Sequence, residues 1–140
     1  MPTSLRPGRA DDAPAIGRIT HDAFKSIADR HNFPPDFPSP DVAMGLVTML
    51  LGHPRFYSVV AELDGRIAGS NFLDERSSIA GVGPITVDPA IQNRGIGRSL
   101  MDDVLARNAK QRCAGVRLVQ VACKYRGDVF VAIQGDVHQE

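Results

Sequence analysis

Residues 87–105, VDPAIQNRGIGRSLMDDVL, constrain what this chain can fold into more than any other segment. An apolar stretch over 79–87 runs into a short loop in which Gly95 and Gly97 flank one isoleucine, with Arg94 and Arg98 on either side. Leu100, Met101, Val104 and Leu105 then recur at helical spacing, which predicts a helix over 97–111 with one apolar face. GVRLVQVA, 115–122, follows as a further strand. A strand, tight loop, helix and strand in succession make a crossover unit, so the two strands should lie close together and parallel, or nearly so.

The rest of the chain alternates in the same way. TSLRPGRADD reads as a short first strand ending in a helix start, with Asp11 or Asp12 as cap and Pro14 near the first turn. Ile16, Ile19, Ala23 and Ile27 mark the buried stripe of a helix over 12–30. The proline-rich HNFPPDFPSP resists regular structure and is expected to be a loop able to fold over a site. Asp41 is the expected cap of a second helix whose inner face carries Val42, Leu46, Val47, Leu50 and Leu51, ending near Gly52 and Pro54. FYSVVAEL and RIAGSNFL flank Asp64-Gly65, the strongest short-range hairpin signal a sequence carries. The strand over 79–87 contains Pro84, which cannot donate to a ladder, so it should be bulged or splayed there and open a gap in the sheet.

The loop after that gap is suited to an anion. A helix start leaves backbone N–H groups unpaired and partly positive, so it stabilises a phosphate without a basic patch. Gly95 and Gly97 let the backbone approach closely, and Arg94 and Arg98 add charged contacts at the rim. Spacing excludes a nucleotide-triphosphate loop, which needs four residues between its glycines and then Lys-Ser/Thr. It excludes a dinucleotide fingerprint too, because Leu100 stands where the third glycine would be. On spacing alone, a tight strand-to-helix turn with solvated arginines stays open.

Charge narrows the partners. Lys and Arg number 16 against 16 Asp and Glu, so no bulk field holds a nucleic-acid backbone or an anionic membrane. No apolar run approaches the roughly 20 residues of a membrane helix. The 140 residues are expected to form one domain, 1–140, able to bury a core without staples. Cys113 and Cys123 show no paired spacing and the sequence shows no signal-peptide pattern, so they read as reduced thiols of a cytoplasmic protein. No metal is expected.

QNRGIGR, 92–98, resembles the pyrophosphate loop of the GNAT family of acyl-CoA-dependent N-acyltransferases, whose pattern is Gln/Arg-x-x-Gly-x-Gly/Ala. GPITVDPAIQNRGIGRSLMDDVL resembles that family's fourth strand and third helix, and the order of elements agrees over about residues 4 to 122. The resemblance implies an α/β fold with a mixed, largely antiparallel sheet flanked by helices, and acetyl-CoA as cosubstrate. It implies that the pantetheine arm pairs with the backbone of Ile85, Thr86 and Val87. The pyrophosphate would meet backbone N–H groups of Gln92, Arg94, Gly95, Ile96, Gly97 and Arg98. The chemistry implied is direct attack of a neutral primary amine, of a small molecule or a peptide, on the thioester carbonyl, with a backbone N–H near Val87 as oxyanion donor. Since no covalent enzyme intermediate is required, the cysteines read as packing residues.

The C-terminus departs from the family. After GVRLVQVA the family continues with an Asn, a helix carrying a Tyr that protonates the thiolate, a Gly-Phe turn and two strands, whereas this chain reads CKYRGDVFVAIQGDVHQE. DVFVAIQ is expected to supply one last strand, and a helix and a strand to be missing or replaced. Tyr125, the only tyrosine of the tail, is the candidate thiolate acid; Tyr57 and His21 read as a packing residue and a partly exposed helix residue. His31, Asp36 and Asp41 border the proline loop, and none is specific enough to be named as base. Missing elements would expose apolar surface and a sheet edge, which predicts a homodimer, with exchange of the 124–140 tail as one way to form it. Beside the transferase stand an acyl-CoA-binding module that has lost catalysis and an interaction domain with an empty loop.

Overall fold

The computed structural model describes residues 3–30, 39–91, 95–111, 115–118 and 135–137, with side chains described except at 27, 30, 117, 118 and 135–137. Its frame is the hairpin of β2 (Phe56–Leu63) and β3 (Arg66–Asp74). Asp64 and Gly65 turn the chain with φ of 54° and 78°, the left-handed pair that a two-residue hairpin needs. β1 (Ser4–Pro7) pairs antiparallel with the other edge of β2. Alternation then sorts side chains to two faces: Val59, Ala61 and Leu73 join one core, Val60 and Phe72 the other.

The second core is closed by α1 (Ala13–Arg30) and α2 (Pro40–Gly52). Ile16, Ile19 and Ala23 are buried as their spacing required. α1 follows a 3₁₀ turn, Ala10–Asp12, in which the Asp12 carboxylate accepts the Arg9 N–H at 2.7 Å and the Arg6 guanidinium at 2.9 Å on each oxygen. The hydrogen-bonded guanidinium holds the Asp12 carboxyl below its usual range, against the opposing effect of burial. The start of α1 is thereby tied to β1.

α2 differs from expectation in two respects. Its cap is Ser39, whose Oγ accepts the Val42 N–H at 3.4 Å, and Asp41 lies in the first turn. Its inner face is Ala43, Val47 and Leu50, flanked by Leu46 and Leu51, while Val42 is 49% exposed. The helix is apolar almost all round, so periodicity could not fix which side faces the sheet.

α3 (Ile96–Lys110) covers the opposite face, burying Ile96, Leu100, Met101 and Val104 against Val59, Leu73, Ala80 and Val116. It connects β4 (Ile79–Val82) to β6 (Gly115–Leu118), which pair in parallel as the crossover pattern required. β7 (Gly135–Val137) pairs antiparallel with β6, and the strand expected at DVFVAIQ lies outside the described residues. The mixed sheet has the order β1-β2-β3-β4-β6-β7.

The expected strand over 79–87 is split into β4 and β5 (Thr86–Val87). Both pair with β3, yet between the pairs Leu73↔Val82 and Ser70↔Thr86 lie two residues of β3 and three of the partner, Gly83, Pro84 and Ile85. One extra residue opposite a regular strand is a bulge, and it falls where Pro84 removes a donor. Among the described residues β5 pairs with β3 alone, whereas β4 has β6 on its other side.

Candidate functional site

Two structural features meet beside that bulge. The first is the outer edge of β5, whose position is set from below by Gly69. A Cβ there would lie 2.6 Å from the Thr86 carbonyl oxygen and 3.2 Å from Leu100 Cδ1, so β5 and α3 both approach β3 where it has no side chain. Past β5, the Asp88 N–H donates to Ala68 O at 2.8 Å and the Asp88 carboxylate accepts the Ala90 N–H at 3.0 Å, turning the chain into the 3₁₀ segment Pro89–Ile91. Arg18 of α1 reaches Asp88 at 3.9 Å.

The second feature is the start of α3. Gly95 caps it with φ 74° and ψ 9°, and among the described residues nothing beyond its chain neighbours lies within 4 Å of where its Cβ would be. The Ser99 N–H and hydroxyl both donate to Gly95 O, at 3.0 and 3.1 Å. The N–H groups of Ile96, Gly97 and Arg98 precede that first helical bond and have no acceptor within the helix. Buried Ile96 anchors the turn, Arg98 is exposed, and a Cβ on Gly97 would sit 3.8 Å from Val87 Cγ2. The helix start therefore packs directly on β5.

Of the residues singled out from sequence, Ile85, Thr86, Val87, Gly95, Ile96, Gly97 and Arg98 are brought together here, Ile85 in the bulge rather than in a strand. Gln92, Arg94, Tyr125, His31, Asp36, Cys113 and Cys123 lie outside the described residues. His21 has a side chain only 13% exposed, with Nδ1 3.3 Å from Asp22. Asp41 is exposed at the start of α2.

Tyr57 does more than pack. Its hydroxyl donates to Asp103 at 2.6 Å, and its ring lies 4.8 Å beneath the Arg107 guanidinium, which bonds Glu75 at 2.9 and 3.1 Å. Burial first, then the Asp103 carboxylate, push its phenol up to about 12. This network fastens the hairpin to α3 well along the helix from Gly95. Sequence reading also passed over Gly69 and Asn71; a glycine and an amide inside an otherwise apolar strand were the available signal.

The acetyltransferase (GNAT) domain family matches residues 54–133, more than half of the chain. The protein belongs to this family. Comparison with curated proteins gives no match. Among solved structures, the PaiA N-acetyltransferase of Thermoplasma acidophilum, determined with coenzyme A, is similar with a TM-score of 0.68 and 14% identity, over 87% of this chain and 82% of that one. The ribosomal-protein-S18-alanine N-acetyltransferase of Escherichia coli gives 0.67 and 20%, over 86% and 69%. A GNAT family acetyltransferase of Brucella melitensis, determined with acetyl-CoA, gives 0.60 and 23%, over 99% and 96%. These identities speak for the fold. Among the described residues no cluster of three or more His, Cys, Asp or Glu is placed to hold a metal, and no helix is long and apolar enough to cross a membrane.

Proposed function

We propose that this GNAT domain transfers an acetyl group from acetyl-CoA to the primary amine of a small molecule or peptide by direct attack. The observation that carries the reading is the outer edge of β5, unpaired among the described residues, beside an α3 start whose backbone N–H groups have no helical acceptor. Acetyl-CoA, when bound, supplies the activated thioester. The backbone of Ile85, Thr86 and Val87 offers a ladder to the amides of the pantetheine arm on the side away from β3. Gly95, Ile96, Gly97 and Arg98 give N–H groups to the pyrophosphate, joined by Gln92 and Arg94, and the space around Gly95 lets phosphate reach the backbone.

A backbone N–H near Val87 donates to the carbonyl oxygen as that oxygen gains charge, and Tyr125 returns a proton to the departing sulfur. The reading treats residues 1–140 as one cytoplasmic domain and the protein as a homodimer. Among the described residues β7 is the last strand of the sheet, and a second copy pairing on its far side would cover that edge. A monomer by light scattering at micromolar concentration would end the dimer reading.

Calorimetric titration of acetyl-CoA and of free CoA tests the proposal. The expected result is micromolar or tighter binding, about −8 kcal/mol or better, followed by thiol release when primary amines are added. Binding without thiol release across an amine panel would identify an acyl-CoA-binding module. No heat and no thermal shift would leave an interaction domain with an empty loop.

A further inference from the structure

Asn71 is fully buried at the centre of β3, on the face turned to α3. Burying an amide in that place costs free energy for each polar end that is left unbonded. Its Oδ1 accepts the N–H of Phe72 at 2.8 Å, and its Nδ2 donates to the carbonyl of Leu100 in α3 at 3.3 Å.

These two bonds touch the two halves of the candidate site. The register Leu73↔Val82, extended by one step, sets Phe72 opposite Gly83. A hydrogen-bonded antiparallel pair exchanges two bonds, one in each direction. Gly83 N–H does donate to Phe72 O at 2.9 Å, while the reciprocal donor, Phe72 N–H, turns to the Asn71 side chain. Without that acceptor, the Phe72 N–H would be left to pair with Gly83 and draw the extra residue into the ladder. The other end of the amide holds α3 at Leu100, one turn after the helix start.

We infer that Asn71 is a positioning residue: it keeps the bulge from closing and fixes α3 relative to it, so that the β5 edge and the α3 N-terminus face one ligand. The inference rests on the CoA-binding reading above and deepens it. Asn71 touches no reacting atom; it acts through Phe72, Gly83 and Leu100.

The test uses the full chain with Asn71→Leu and Asn71→Asp, CoA as probe, and three readouts: calorimetric affinity, thermal unfolding, and amide hydrogen exchange at Phe72 and Gly83. Asn71→Leu should weaken CoA binding about tenfold or more and change exchange at both amides. Asn71→Asp should separate positioning from mere packing. A neutral carboxyl offers Phe72 an acceptor and Leu100 an O–H donor, whereas a carboxylate offers only acceptors.

The affinity of Asn71→Asp relative to wild type, compared at each pH, should therefore recover as pH falls from about 8 to about 5, across the raised range of a buried carboxyl. Wild-type affinity in a folded Asn71→Leu, or a relative affinity of Asn71→Asp that ignores pH, would overturn the inference. Should Asn71→Leu not fold, the pH profile of Asn71→Asp decides alone. If wild type itself does not bind CoA, the functional reading fails separately. Exchange then still decides the role of Asn71, since unchanged Phe72 and Gly83 amides in Asn71→Leu would refute it.

Discussion

On one edge β3 pairs with β2 from Phe56↔Asp74 to Leu63↔Arg66; on the other it pairs with β4 at Leu73 and Asp74 and with β5 at Gly69 and Ser70. Both edges contain an irregularity. The one between Ala61 and Glu62 lies inside the sheet, because β1 pairs with β2 on the far side at the same residues. The bulge at Gly83, Pro84 and Ile85 leads instead to a strand whose far side has no partner among the described residues. A bulge enclosed by strands adjusts twist, whereas a bulge ahead of an unpaired edge leaves backbone donors and acceptors for a ligand. The split edge should therefore bear on binding as well as stability, and the hairpin edge on stability alone.

Substitutions on the two edges test that division. Gly69→Ala should have the largest effect, because the new Cβ would meet the Thr86 carbonyl at 2.6 Å and backbone cannot rotate away. A loss of about 1–3 kcal/mol in denaturant unfolding is expected, together with loss of CoA affinity. Unchanged values of both would show that Gly69 does not set the position of β5.

Gly95→Val should separate the two properties. No neighbour among the described residues obstructs its side chain, so the fold should survive with a cost of about 1–2 kcal/mol for a left-handed L-residue. CoA binding, by contrast, should be abolished in calorimetry. Retained affinity would remove the α3 start from the site.

Tyr57→Phe probes the hairpin edge and should have the smallest effect, about 1 kcal/mol of stability from the lost bond to Asp103, with CoA affinity unaltered. The folded state raises the pKa of this phenol to about 12, so its neutral form stabilises the fold fully below the ordinary value of about 10. That contribution should fade as pH rises from about 10 toward 12. Unfolding midpoints of wild type and variant should converge over that interval, and a constant difference would assign the effect to packing alone.

Features that depend on neighbouring residues were legible before the structure. The Asp64-Gly65 turn, the helix over α1 and the bulge at Pro84 follow from local backbone preferences, and each falls where the residues required. The face and cap of α2 were not legible. Ser39 and Asp41 are both suitable caps on either side of Pro40, and an almost uniformly apolar helix does not reveal its inner side. Within the candidate site, Gly95, Ile96, Gly97 and Arg98 could be read from their spacing and from the family resemblance. Gly69 and Asn71 could not, since their partners Thr86 and Leu100 are remote in sequence.

By itself, then, the sequence determined the order of strands and helices over residues 4–118, the place where a ladder must break, and the glycine-flanked start of α3. Each of these is a property of a few consecutive residues. Only the tertiary structure decided that the second half of the broken strand pairs with β3 alone among the described residues, and that Asn71 joins the Phe72 N–H to the carbonyl of Leu100. Hydrogen bonds between distant segments exist only once packing has brought them within reach, and no local pattern specifies that distance.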